Sequence, residues 1–98
     1  MLTARYRQAP GAKLRYVLDL SGWLGDGEYI TLITPEHDAN LIVDNVSALP
    51  SDFTSYEFFV SGGEEGTIYD LTITVTTSDG QKRVDCWQFI IGEACYAA

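Results

Sequence analysis

The chain has 98 residues, a length that fits one domain and leaves no room for a second hydrophobic core. Six basic residues against fourteen acidic residues give a net charge of −8, which repels nucleic acid phosphates and anionic membrane surfaces. The length rules out a multidomain enzyme, and the charge argues against free nucleic-acid binding and against a membrane partner. The 46% hydrophobic and 12% aromatic content is enough to build one core.

The basic residues are distributed unevenly along the chain. Its first eighteen residues contain Arg5, Arg7, Lys13 and Arg15 and no acidic residue, so a basic N-terminal arm precedes an acidic body. We place this arm at residues 1–12. It lacks the continuous apolar run of a signal peptide, which favours synthesis in the cytosol, and no later stretch approaches the length of a membrane-spanning helix.

Short segments with alternating apolar side chains, separated by turn residues, predict an all-β domain over residues 13–92. Six strands are predicted, at 13–20, 29–34, 41–46, 53–60, 67–77 and 82–91. Pro35 is expected to end the second strand, and no segment has the apolar spacing of a helix. This spacing of strands is typical of an immunoglobulin-like or fibronectin type III-like antiparallel β-sandwich of about six or seven strands, followed by a tail at 93–98.

Three aromatic residues and one glycine have predicted structural roles. Tyr16 lies on the inward face of the first predicted strand, and Trp23 in the SGWLGDG connection is expected to fold over the open end of the core. Tyr69 occupies the position of a tyrosine corner, in which the hydroxyl bonds to the backbone of an interstrand loop. Gly80 completes the Asp-Gly hairpin turn before the last strand.

Residue types that carry catalysis or bind metals are present but are not arranged for either. His37 is the sole histidine and has no nucleophile beside it, so a solvated loop histidine is the simpler interpretation. Three carboxylates that can approach one another lack the DxDxDG pattern of a calcium loop, namely Glu36, Asp38 and Asp44. Cys86 and Cys95 fit neither a zinc knuckle nor a CxxC pair and are expected to be reduced. We therefore predict no catalytic residue, no metal, no cofactor and no small-molecule ligand.

The two Trp, six Tyr and four Phe residues are too many for so small a core to cover, so some are expected to contact a protein partner. Phe59 shares an outward face with Glu57, and the last strand is apolar on both faces. The predicted contact residues, including those of the arm, are Arg5, Tyr6, Arg7, Phe59, Trp87, Phe89 and Tyr96. The alternative is a carbohydrate-binding or adhesive module that stacks sugars on Trp87, Tyr56 or Tyr96.

Two blocks of the sequence resemble a known family. They are YVLDLSGWLGDGEYI at 16–30 and FVSGGEEGTIYDLTITVTTSDGQ at 59–81. Together they are similar to the bacteriophage fibre-tail adaptors, which are small immunoglobulin-like virion tail proteins. The matching residues are Tyr16, Asp19, Trp23, Leu24, Gly62, Gly63, Gly66, Tyr69, Thr76, Thr77, Asp79 and Gly80. The second block also resembles fibronectin type III modules, whereas the first favours the phage family.

The resemblance implies a non-enzymatic structural protein of the virion, made in the host cytoplasm, that joins tail and fibre or neighbouring neck components. Its implied partners are other tail, neck or fibre proteins and copies of itself. Both ends of the chain depart from the family pattern. In the arm, we expect Arg5 and Arg7 to pair with carboxylates of a neighbouring subunit and Tyr6 to anchor between them. The alternative is a disordered terminus with scattered charge.

Overall fold

In a computed structural model the chain forms two β-sheets, and the structure describes residues 2–50 and 53–92. The seven strands are β1 (Leu2–Gln8), β2 (Lys13–Asp19), β3 (Ile30–His37), β4 (Leu41–Ala48), β5 (Ser55–Gly62), β6 (Ile68–Thr77) and β7 (Lys82–Ile91). Sheet A has the order β1-β7-β6-β3, and sheet B has the order β2-β5-β4. Within the described ranges there is no helix that is long and apolar enough to cross a membrane.

The predicted all-β sandwich is confirmed, and the six predicted strands correspond to β2 through β7. The last strand has the bounds that its alternation predicts, residues 82–91. The narrower assignment to the immunoglobulin-like or fibronectin type III-like class stays a prediction.

Strand β1 lies where the sequence predicted an arm. It pairs in parallel with β7, so that Arg5 lies opposite Gln88 and Arg7 lies opposite Ile90. Sheet A is therefore mixed rather than purely antiparallel. The alternation in LTARYRQ did not predict this strand because its inward positions include the small Ala4 and the polar Gln8 instead of a run of large apolar residues.

Strand β3 continues through Pro35 to His37, whereas the sequence predicted that the proline would end it. Pro35 lies opposite Ile73 of β6, and β3 is an edge strand of sheet A. On an edge strand the missing N–H can face the solvent, so the proline leaves the pairing with β6 intact.

The core lies between the two sheets and is formed by alternate residues of the strands. The buried apolar side chains of β5, β6 and β7 are Tyr56, Phe58, Val60, Tyr69, Leu71, Ile73, Val75, Trp87, Phe89 and Ile91. Phe58 of sheet B meets Trp87 of sheet A edge to face, with ring centroids 4.9 Å apart. Such aromatic contacts add to the stabilisation from burial alone, so β5 and β7 hold the sheets together at their centres.

The residues with predicted structural roles lie at the borders of this core. The hydroxyl of Tyr69 accepts a hydrogen bond of 2.9 Å from the backbone N–H of Glu64, and Gly80 has a φ of 85° in the turn before β7. Trp23 packs against the core half-buried, and the Arg83 guanidinium lies 5.3 Å from its ring centroid. The half-buried Tyr16 stacks on Phe58, with ring centroids 5.6 Å apart.

Candidate interaction surfaces

Two of the predicted contact residues lie in the core instead of at the surface. Trp87 is 2% exposed and Phe89 is 0% exposed, because their face of β7 is turned to sheet B. The indole N–H of Trp87 donates a hydrogen bond of 3.1 Å to the Tyr56 hydroxyl, which is itself buried. The structure therefore corrects the prediction that Trp87 and Phe89 contact a partner. The same burial removes Trp87 and Tyr56 as platforms for stacking sugars.

Two further residues of the sequence prediction lie outside the part of the chain that the structure describes. These are Cys95 and Tyr96. Cys86 is a free thiol, half-buried on the outer face of β7.

Phe59 lies on the outer face of sheet B, where charged side chains surround it. Arg15 and Asp44 are its opposite neighbours on β2 and β4. The Lys13 ammonium lies 5.8 Å from the ring centroid and forms a 3.3 Å ion pair with Asp44. Arg15 pairs with Glu57. Phe59 therefore offers a half-buried apolar spot framed by two ion pairs, not an open aromatic platform.

Arg5, Tyr6 and Arg7 lie together on β1, an edge strand of sheet A, and we call them the basic edge. Both arginines are exposed, and neither forms an ion pair with another residue in the described ranges. Tyr6 is 42% exposed and turns towards β2, where its ring centroid lies 4.9 Å from that of Tyr16. The basic edge is therefore the predicted contact region whose side chains remain accessible in the folded chain.

The outer face of sheet A carries exposed aliphatic side chains that the sequence analysis did not single out. Ile68 and Ile90 lie directly opposite each other on β6 and β7. Ile68, Val84 of β7 and Leu32 of β3 are each more than half exposed. Alternation of side chains shows that a strand has two faces, but it does not show which apolar residues stay exposed. The sequence therefore did not predict this group of exposed aliphatic residues.

A groove of about 260 Å³ separates the edge strands β3 and β4. Its apolar lining includes Ile30, Ile33, Val46, Ala48 and Phe53. The pairing of β4 with β5 shifts register between Asp44 and Ser47, so a bulge lies beside the groove. Bulges of this kind interrupt the regular hydrogen-bonding edge of a sheet.

The buried carboxylates of the described residues are bonded to neighbouring groups of the fold. Asp85 accepts hydrogen bonds from Arg83 Nε at 2.7 Å and from the Tyr56 hydroxyl at 2.8 Å. Burial raises the pKa of the Tyr56 hydroxyl well above its ordinary value. This hydroxyl therefore stays protonated and serves as a donor to Asp85.

Glu28 is the second buried carboxylate, and it fastens two turns. It accepts hydrogen bonds from the Thr77 hydroxyl, from Gly25 N at 2.7 Å and from Gln81 Nε2 at 3.0 Å. These bonds hold the pKa of Glu28 below its ordinary value. The bond from Thr77 has the largest effect, followed by those from Gly25 and Gln81. No group of three His, Cys, Asp or Glu side chains within 2–50 and 53–92 is placed to bind a metal ion.

Residues 8–91 match a family model, a range that begins at the last residue of β1 and includes all of β2 through β7. The family is described as podophage GP4 fiber-tail adaptor protein gp77. No curated protein matches the chain. All three residues of the basic edge precede the matched range, whereas the core and both resembling blocks fall inside it. The chain therefore belongs to the podophage GP4 fiber-tail adaptor protein gp77 family.

Proposed function

We propose that this chain is a non-enzymatic structural protein of a bacteriophage virion that joins tail and fibre, or neighbouring tail and neck components, through protein–protein contacts. The family match over residues 8–91 carries this proposal. The other partners of the chain are copies of itself, and its place of synthesis is the host cytoplasm.

The surface of sheet A supports a role in binding proteins. Its outer face combines the exposed aliphatic residues Leu32, Ile68 and Val84 with the arginines of the basic edge at one side. The aliphatic residues lie towards the two ends of the outer face, and the polar side chains of Asp70, Thr72 and Gln88 lie between them. Interfaces between proteins combine apolar and polar side chains in this way, so we assign the outer face of sheet A as the principal contact with a tail or fibre protein.

The placement of the buried carboxylates and of His37 also supports a structural role. Asp85 and Glu28 use their oxygens to hold strands and turns together. His37 is exposed at the end of β3, where its Nδ1 lies 2.8 Å from the carbonyl oxygen of Asp38. An acid–base mechanism requires these groups to face one substrate-sized cleft together, and they lie apart on different elements.

The test replaces the chain in virions with a variant of the outer face, Val84→Lys combined with Ile90→Lys. Val17→Lys is the matched control, because Val17 is similarly exposed but lies on the outer face of sheet B. Purified virions are analysed by quantitative mass spectrometry and by cross-linking. We expect the control to be incorporated normally and the double variant to lose its cross-links to tail and fibre proteins.

Circular dichroism and thermal denaturation establish first that both variants are folded. Normal cross-links in the double variant would show that the outer face of sheet A is not the contact. If virions produced with the wild-type chain contain none of this protein, the adaptor function itself is wrong.

A further inference from the structure

The two edges of sheet A carry opposite charges at nearly the same height along the strands. On the outer face, Arg5 of β1 lies opposite Gln88 of β7, and Gln88 lies opposite Asp70 of β6. At the other edge, Glu36 of β3 lies opposite Thr72, two residues further along β6 than Asp70. The basic edge and the end of β3 are therefore separated by the width of the sheet and by about one row of side chains.

The acidic counterpart of the basic edge consists of two residues at the end of β3. Glu36 is exposed in the strand, and Asp38 is exposed immediately after it. Neither carboxylate forms an ion pair with another of the described residues, and the same holds for Arg5 and Arg7. We call Glu36 and Asp38 the acidic edge.

We propose that the basic edge of one copy docks against the acidic edge of the next copy, so that sandwiches assemble head to tail with their A sheets side by side. This inference rests on the proposed function, because it specifies the self-contact of an adaptor present in several copies. A contact between two different patches repeats from copy to copy and produces rings or chains instead of closed pairs.

The spacing of the side chains allows this contact without a large sliding of one copy along the other. Rows of side chains on one face of a sheet are about 7 Å apart along the strand. Arg5 is therefore displaced from Glu36 by roughly the reach of an arginine side chain. A bidentate guanidinium suits a carboxylate in such a contact.

Pro35 determines the kind of contact that β3 makes. This proline lies on the free edge of β3, two residues before the strand ends, and has no N–H to donate to a further strand. A continuous backbone ladder across the two copies is therefore disfavoured. The contact therefore depends on four charged side chains, those of Arg5, Arg7, Glu36 and Asp38. It is reversible and sensitive to neutralisation of these charges.

The experiment compares neutral variants of each edge by sedimentation velocity at protein concentrations up to about 1 mM. One variant combines Arg5→Gln and Arg7→Gln, and the other combines Glu36→Gln and Asp38→Asn. Asparagine is chosen because the Asp38 carboxylate accepts a 2.8 Å hydrogen bond from Asn40 N, which the amide oxygen can also accept. Lys82→Gln combined with Glu65→Gln is the control, since both residues are exposed and lie outside the two edges.

We expect the wild-type chain and the control to self-associate, and each edge variant to associate at least about tenfold more weakly. A mixture of the two edge variants is expected to form heterodimers and nothing larger, because one intact basic edge and one intact acidic edge remain. A chain with all four charges reversed, which combines Arg5→Glu, Arg7→Glu, Glu36→Lys and Asp38→Lys, should assemble again.

A wild-type chain that stays monomeric overturns the proposal, as does a mixture that fails to form heterodimers. Either result leaves the adaptor function standing if virion cross-links to tail and fibre proteins are present. Absence of the protein from virions, with head-to-tail assembly retained in solution, would instead remove the proposed function and keep the self-contact.

Discussion

Gln8 of sheet A donates a hydrogen bond of 2.8 Å from Nε2 to the main-chain carbonyl of Val60 in sheet B. The same amide group donates to the Ala12 carbonyl at 3.1 Å, and its oxygen accepts a 2.8 Å hydrogen bond from the Tyr16 hydroxyl. Gln8 is 1% exposed. One buried side chain thus ties β1 to β2, to the turn between them and to the opposite sheet.

Replacing Gln8 with Ala is expected to lower the free energy of unfolding by about 1–3 kcal/mol, because the Val60 carbonyl and the Tyr16 hydroxyl lose a buried partner. Urea denaturation measures the loss, and hydrogen exchange should show faster opening of β1. Gln88→Ala is the control, since Gln88 lies on the outer face and bonds to the exposed Asp70. Equal losses in the two variants would contradict the role given to Gln8.

Gly63→Ala is expected to destabilise the fold more than Gly66→Ala. Both glycines have positive φ, 87° and 86°, so both substitutions carry the same backbone strain of roughly 1 kcal/mol or more. At Gly63 the new Cβ would also lie 2.9 Å from Ile91 Cγ1 and from Tyr69 Cε2, whereas at Gly66 nothing lies within 4 Å. Urea denaturation of both variants gives the difference directly, and similar stabilities would show that the loop moves aside freely.

Tyr56→Phe is expected to lower the free energy of unfolding by about 1–3 kcal/mol, although it removes only one oxygen atom. The Tyr56 hydroxyl is the acceptor for Trp87 Nε1 and the donor to Asp85, and both partners are buried. The control is Tyr29→Phe, because Tyr29 is an exposed tyrosine. Thermal denaturation monitored by tryptophan fluorescence should therefore separate the two variants, and coincident curves would show that the buried bonds contribute nothing.

The stability contributed by the charge of Glu28 is expected to depend on pH. Hydrogen bonds from Thr77, Gly25 and Gln81 lower the pKa of Glu28 in the folded chain from an ordinary value of 4.5. A lowered folded pKa stabilises the fold fully above the ordinary value, and this stabilisation is lost as the pH falls through the folded pKa. The difference in unfolding free energy between wild type and Glu28→Gln should therefore be constant near neutral pH and shrink below about pH 4.5.

The comparison for this pH series is Glu65→Gln, which neutralises an exposed loop carboxylate. Its difference from wild type should stay small throughout the titration. A Glu28→Gln difference that is independent of pH would mean that the bonds to Glu28 do not discriminate between the charged and the protonated carboxyl.

The alternation of side chains predicted the strands but not which of their faces is covered. β6 was located closely because Leu71, Ile73 and Val75 alternate with threonines, and β7 because it follows the Asp-Gly turn that ends at Gly80. The burial of Trp87 could not be predicted from that pattern. It depends on β7 lying between β1 and β6, an order produced by contacts between distant parts of the chain.

The basic edge was recognised as a contact region from its charges, but its conformation was not. The pairing of β1 with β7 depends on residues about eighty positions away, such as Gln88 opposite Arg5, and a local pattern contains no information about such a partner. The acidic edge was considered only as a possible ion site. The acidic edge and the basic edge lie at opposite sides of one sheet because β7 and β6 lie between β1 and β3.

The parallel pairing of β1 with β7 also determines how the domain responds to mechanical force. Leu2 lies beside Cys86 and Gln8 lies beside Ile91, so the start of β1 and the end of β7 are at opposite ends of their shared ladder. Tension applied between these two points pulls the strands past each other and loads all of the ladder hydrogen bonds together, instead of opening them one after another. A domain loaded in this shear geometry resists extension, a property that fits the proposed role of joining a fibre to a tail.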